Sequence, residues 1–89
     1  MRAIVTVIGR DRVGIIASIC ALMAAQNVNI LDISQTIMQE YFTMIMLVDV
    51  SGCTIPFAEM AGLLESAGQE QNLSVRIQRE DIFNAMHEI

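Results

Sequence analysis

The chain has no tryptophan and no lysine, one proline, one histidine and two cysteines among its 89 residues. Each scarcity excludes something. All five basic residues are arginine, set against ten acidic ones for a net charge of −5. An acidic chain without lysine lacks the cationic surface that phosphate backbones require. The single tyrosine and three phenylalanines do not alternate with basic residues, so no base-stacking platform is visible and no nucleic-acid partner is expected. Cys20 and Cys53 are far apart and form no CxxC pair. They are expected to be free thiols in a reducing cytosol. His87 has Glu88 beside it and Glu80 one element away, which is no metal trio at ligand spacing, so no metal or cofactor is expected. Nothing brings Cys20, Cys53 or a serine next to His87 as a nucleophile would need, and no carboxylate pair stands out. The chain is therefore not expected to be an enzyme. The opening apolar run is too short for a signal peptide. No stretch reaches the roughly 18 apolar residues of a membrane span. The expected setting is cytoplasmic, with no membrane partner.

What the chain does have is apolar surface. Hydrophobic residues make up 54% of it, although a domain of this size buries only about 60–65% of the surface its unfolded chain exposes. Part of the excess is expected against a second copy, in a homodimer or higher oligomer.

The pattern predicts the elements. "AIVTVI" (3–8) is short and β-branched, a strand. Residues 14–26 place Ile15, Ile19, Leu22 and Ile16, Cys20, Met23 at helical spacing, with Ala17, Ser18, Ala21 and Ala25 on the remaining face. "VNILDISQTIM" (28–38) alternates, Leu31, Ile33 and Ile37 against Asp32, Ser34 and Thr36. "YFTMIMLVDV" (41–50) is apolar on both faces, and "SGC" (51–53) turns the chain. Pro56 suits a helix start. Phe57, Met60, Ala61 and Leu64 give the stripe of a second helix ending near Gly68. "LSVRIQRE" (73–80) alternates cleanly, and Asp81 can cap a short last helix with Ile82, Phe83, Met86 and Ile89 on one side. That tail is expected to pack on the domain or its partner copy. The order is βαββαβ, two βαβ units with little sequence identity between them. The fold class is α+β, a ferredoxin-like sandwich: a four-stranded antiparallel sheet with two helices on one face, plus a short C-terminal helix. The first and third strands, apolar on both faces, belong at its centre. The chain reads as a single domain, 1–89, with a core over 3–79 and a tail over 81–89.

The stretch richest in chemistry is "GRDRVG" (9–14), between the first strand and the first helix. The free N–H groups and dipole of a helix start favour an anion. Gly14 lets a ligand or backbone approach. Asp11 can take an ammonium group. Together they suit a zwitterion; the alternative is a tight turn that Asp11 caps. Asn29, uncommon in a strand, is a candidate ligand contact or a turn-closing side chain.

G-x-D-x-x-G before the first helix, followed by "NVNILDIS" in a βαββαβ chain, resembles an ACT domain over residues 3 to 79. The segments "DISQTIM", "YFTMIMLVDVSG" and "IQREDIFNAMHEI" are similar to a family of standalone bacterial ACT proteins over the full length. The resemblance implies a regulatory module that binds an amino acid or similar small effector. The site would lie between the loop of one subunit and the second strand of its neighbour: Asp11, Val13, Gly14 and Ile15 on the loop side, Asn29 on the strand side. Many ACT sites have proline where this chain has Val13. With no enzyme fused to these 89 residues, the expected output is another protein or the ligand itself. Two rivals are a dimeric interaction module without ligand, and an acylphosphatase-like hydrolase. For the latter the Phe-Arg expected after the loop is replaced by Ile15-Ile16.

Overall fold

A computed structural model describes residues 1–10 and 14–81. The elements are β1 (Arg2–Arg10), α1 (Ile15–Ala25), β2 (Asn29–Met38), β3 (Tyr41–Asp49), α2 (Phe57–Glu70) and β4 (Ser74–Arg79). All strand pairs are antiparallel, in the order β2-β3-β1-β4. The two strands that read as apolar on both faces are the central ones, as expected.

One face of the sheet carries the core. Ala3, Val5 and Val7 of β1 and Phe42, Met44, Met46 and Val48 of β3 are buried against Ile19 and Met23 of α1 and Met60 and Leu64 of α2. Four of the seven methionines are fully buried here, where their flexible stems fill irregular gaps. Cys20 and Cys53 are free thiols, partly buried. No described helix is long and apolar enough to cross a membrane.

The opposite face is open, and the ladder registers divide it into rows. Asp32, Leu47, Ile4 and Gln78 form one row; Ser34, Ile45, Thr6 and Arg76 the next; Thr36, Thr43, Ile8 and Ser74 the third. Its middle is mostly apolar, with Thr6 and Thr43 among Ile4, Ile8, Ile45 and Leu47, and its two outer columns are polar. The register of β2 against β3 shifts between Ile30 and Asp32, leaving Leu31 without a partner. The bulge lets Ile30 stand opposite buried Val48 while Asp32 stands opposite Leu47 on the open face.

Two boundaries are sharpened. The second helix, expected to end near Gly68, ends two residues on at Glu70, with Gln71 as its C-cap. Gly68 is buried, and a Cβ there would lie 2.6 Å from Val75 Cγ2 and 3.0 Å from the Leu73 carbonyl oxygen. Its missing side chain lets α2 settle onto β4. Glu80 is already helical, so Asp81 falls inside that turn rather than at its cap; its carboxylate pairs with Arg79 at 3.0 Å. The tail from Ile82 to Ile89, including His87, lies outside the described residues.

Both helices end in the same way. Asn27 and Asn72 take positive φ, 61° and 60°. The next residue reaches back five positions, Val28 N–H to the Met23 carbonyl at 3.0 Å and Leu73 N–H to the Gly68 carbonyl at 2.7 Å. These are Schellman closures, which satisfy carbonyls that the last helical turn leaves free.

Candidate functional site

Of the five candidate residues, Asp11 and Val13 lie outside the described residues. Ile15 is the first residue of α1. Gly14 is its N-cap, exposed, with φ 89° and ψ 0°. That conformation is what requires glycine, because L side chains are strained there. A Cβ at Gly14 would meet nothing within 4 Å, so no part of the described chain presses on the position. No side chain caps the helix among the described residues, and its first turn has no acidic residue. Ser18 N–H makes the first helical bond, to the Gly14 carbonyl at 2.9 Å. The earlier N–H groups of α1 thus keep the capacity for an anion that the sequence suggested.

Asn29 is exposed at the first position of β2, opposite Asp49. Asp49 is opposite Arg2, at the start of β1, whereas the loop leaves β1 after Arg10, opposite Tyr41. Eight residues of strand separate those rows, about 26 Å at ~3.3 Å per residue. Within one chain, the loop side and the strand side of the candidate site therefore stand at opposite ends of the sheet.

The Asn29 end has electrostatics of its own. Asp49 Oδ1 accepts the Ser51 N–H at 2.9 Å and lies 3.6 Å from the N-terminal ammonium, which itself donates to the Ser51 hydroxyl. The Ser51 hydroxyl first, and then the Ser51 N–H, hold the Asp49 carboxyl below its ordinary value of 3.8. A lowered carboxyl stabilises the fold above the unfolded-state pKa, and that contribution fades as the pH falls through the folded value. Thermal melts in the acid range should therefore show a shallower loss of stability below about pH 4 in Asp49→Asn than in the wild type.

Sequence reasoning did not foresee how open β2 would be. All of its residues but Ile30 are exposed, ten residues of edge without a neighbour on the outer side. Ile33 and Ile37 stand opposite buried Met46 and Phe42, yet they are 42% and 56% exposed because no described helix reaches over them. The outward face of α1 presents Ala17, Ser18, Ala21, Ala24 and Ala25, small residues that allow close approach. The chain's hydrophobic alternation alone could not tell a covered β2 from an uncovered one.

Comparison with known proteins gives a consistent family. A family model described as ACT domain matches residues 2–78. A UPF0237 protein of Clostridium acetobutylicum is 52% identical over 89 residues, covering 100% of both chains. The solved structure of an ACT domain protein from Streptococcus pneumoniae matches with a TM-score of 0.82 and 41% identity, over 98% of each chain. The ligand-free regulatory subunit of aspartate kinase from Thermus thermophilus shares the fold, with a TM-score of 0.68 at 20% identity over 86% of this chain and 50% of that one.

Proposed function

Because the chain belongs to the ACT domain family, we propose that it is a non-catalytic regulatory module that binds an amino acid or similar zwitterion between two copies of itself. The observation that carries this is the placement of the two half-sites at opposite ends of one sheet. A two-fold axis through the middle of β2, between Ile33 and Ser34, would run β2 antiparallel to its copy. The partner's Asn29 would then lie beside Met38, the end of the sheet from which the loop departs. Two equivalent sites would form, each complete only in the dimer.

The exposed edge of β2 supports that pairing, since an unpaired strand edge and an apolar overhang are both satisfied by a second copy. In each site the start of α1 takes the ligand carboxylate, Asp11 takes the ammonium, and Asn29 from across the axis closes the pocket. Val13 and Ile15 line the loop side, and the arginines of the loop balance Asp11 and the anionic ligand. The module works in the cytoplasm and passes its ligand state to a protein it regulates.

An amino acid has few atoms with which to offset the cost of association, so the expected affinity is about micromolar to millimolar. Asp11→Ala should weaken binding by about 1.5–3 kcal/mol, the scale of a charged hydrogen bond. Titration calorimetry over the common amino acids, on wild type and Asp11→Ala, tests this. Heat from one amino acid that collapses in the variant supports the site. No heat with any of them leaves an interaction module without ligand.

A further inference from the structure

We infer that the open face of the sheet is a second self-association surface, on which two copies stack face to face. This is independent of the edge pairing above and of any ligand. The centre of the face is mostly apolar where solvent would favour polar residues: Ile8 and Ile45 are 48% and 43% exposed, with Ile4 and Leu47 half-buried beside them and only Thr6 and Thr43 interrupting. Four strands at ~4.8 Å spacing, the two central ones nine residues long, outline about 19 by 27 Å. That is roughly 500 Å² before side-chain relief is counted, on the scale of the ~800 Å² that each partner contributes to a stable interface.

The flanking columns select the occupant. The β2 column carries Asp32 and the β4 column carries Arg76, one row apart along the strands. Neither forms an ion pair among the described residues. A two-fold axis parallel to the strands, between β1 and β3, lays the β2 column of each copy on the β4 column of the other. The partner's Arg76 then stands over Ser34, one row along the strand from Asp32 and within reach of it by its long side chain, twice over. An axis across the strands would instead lay β2 on β2 and put like charges on the same side. The face is thus complementary to itself in one orientation, and a second copy of this chain is the partner that it fits.

A concavity on this face sharpens the fit. Ile4, Asp32, Ile33, Ser34, Ile45 and Leu47 surround a shallow cavity of about 140 Å³. The same axis sets Arg76 of the partner above it. Its methylene stem packs on the apolar walls and its guanidinium reaches the carboxylate at the rim. Sheets packed in this aligned way lie about 10 Å apart. Edge pairing through β2 uses a different axis that does not meet this one, so each surface adds chains independently of the other.

Sedimentation at micromolar concentration tests the two surfaces separately. The wild type is expected at more than two-chain mass. Ile45→Glu, on the open face, should reduce it to two chains, and so should Ile37→Asp at the edge; together they should give monomers. Asp32→Arg and Arg76→Asp should each weaken stacking at least tenfold by setting like charges across the axis. The double swap, Asp32→Arg with Arg76→Asp, should restore it, and these surface changes do not depend on Ile45→Glu folding well. Unchanged mass in Ile45→Glu, as would follow if the chain's own tail covered the face, overturns the stacking while leaving the edge dimer standing. A wild type that is already no larger than the dimer broken by Ile37→Asp overturns it too, as does loss in the single charge variants without rescue in the double. Unchanged mass in Ile37→Asp alone overturns the edge pairing and leaves the stacking.

Discussion

Gly68→Val is expected to cost the fold about 3 kcal/mol, the upper end of what overpacking usually costs. The new Cβ would stand 2.6 Å from Val75 Cγ2, 3.1 Å from Val75 Cβ and 3.0 Å from the Leu73 carbonyl oxygen. The side-chain contact could be relieved by rotating Val75. The carbonyl cannot move as easily, because Leu73 N–H is bonded to the Gly68 carbonyl at 2.7 Å and ties the strand start to the helix end. Relief must come from lifting α2 off β4, which also loosens buried Leu64 and Val75. Gly68→Ala meets the same oxygen but recovers up to ~1 kcal/mol of helix propensity, so its loss should be smaller, about 1–2 kcal/mol. Urea titration gives both values as midpoint shifts at constant slope. A Val variant with the wild-type midpoint would mean that helix and strand are not in close contact here.

The same glycine marks where the sequence could be read and where it could not. Alternation and helical stripes placed all six elements in order, because each period is a direct record of which face is buried. Val5, Met44 and Leu64 are where those periods put them. A glycine, however, has two meanings in a helical pattern, terminator or close approach, and only the neighbouring element decides between them. A better terminator signal was present. Gln26-Asn27-Val28 and Gln71-Asn72-Leu73 recur at the two helix ends, each with asparagine at positive φ and an apolar residue closing the turn. The bulge at Leu31 was hidden for a different reason. A one-residue insertion reverses the period locally, and in a strand apolar on alternate residues that reversal looks like noise.

The candidate site was legible as residue types more than as geometry. A glycine-bounded loop before a helix start suggested an anion site, with a tight turn capped by Asp11 as the alternative. Asn29 could be named only through the resemblance, because its distance from the loop depends on the sheet order. Once that order is known, the distance of about 26 Å itself argues for a site shared between copies. The apolar excess raised the expectation of a partner surface, and its exposed part lies at the edge of β2 and on the open face. Ile37 and Ile45, 56% and 43% exposed, are its clearest markers.

Gly14→Val is expected to lose both ligand binding and about 2–3 kcal/mol of stability. The observed φ of 89° sets the stability loss: an L residue costs roughly 1–2 kcal/mol in the left-handed region, and a β-branched one more. Space is not the cause, since a Cβ would meet nothing within 4 Å. That open space is where a ligand carboxylate would approach the start of α1, so the added side chain would obstruct the ligand rather than its own chain. The two effects can be separated with Gly14→Asn. Asparagine tolerates the left-handed region better than other L residues because its short polar side chain bonds locally, so its stability should stay within about 1 kcal/mol of wild type, while its bulk still fills the approach. Thermal unfolding and titration calorimetry on the three proteins give the answer. A stable Gly14→Asn variant that no longer binds assigns the glycine to the ligand as well as to the turn. A Gly14→Asn variant that binds as the wild type does would leave Gly14 as a requirement of backbone conformation alone.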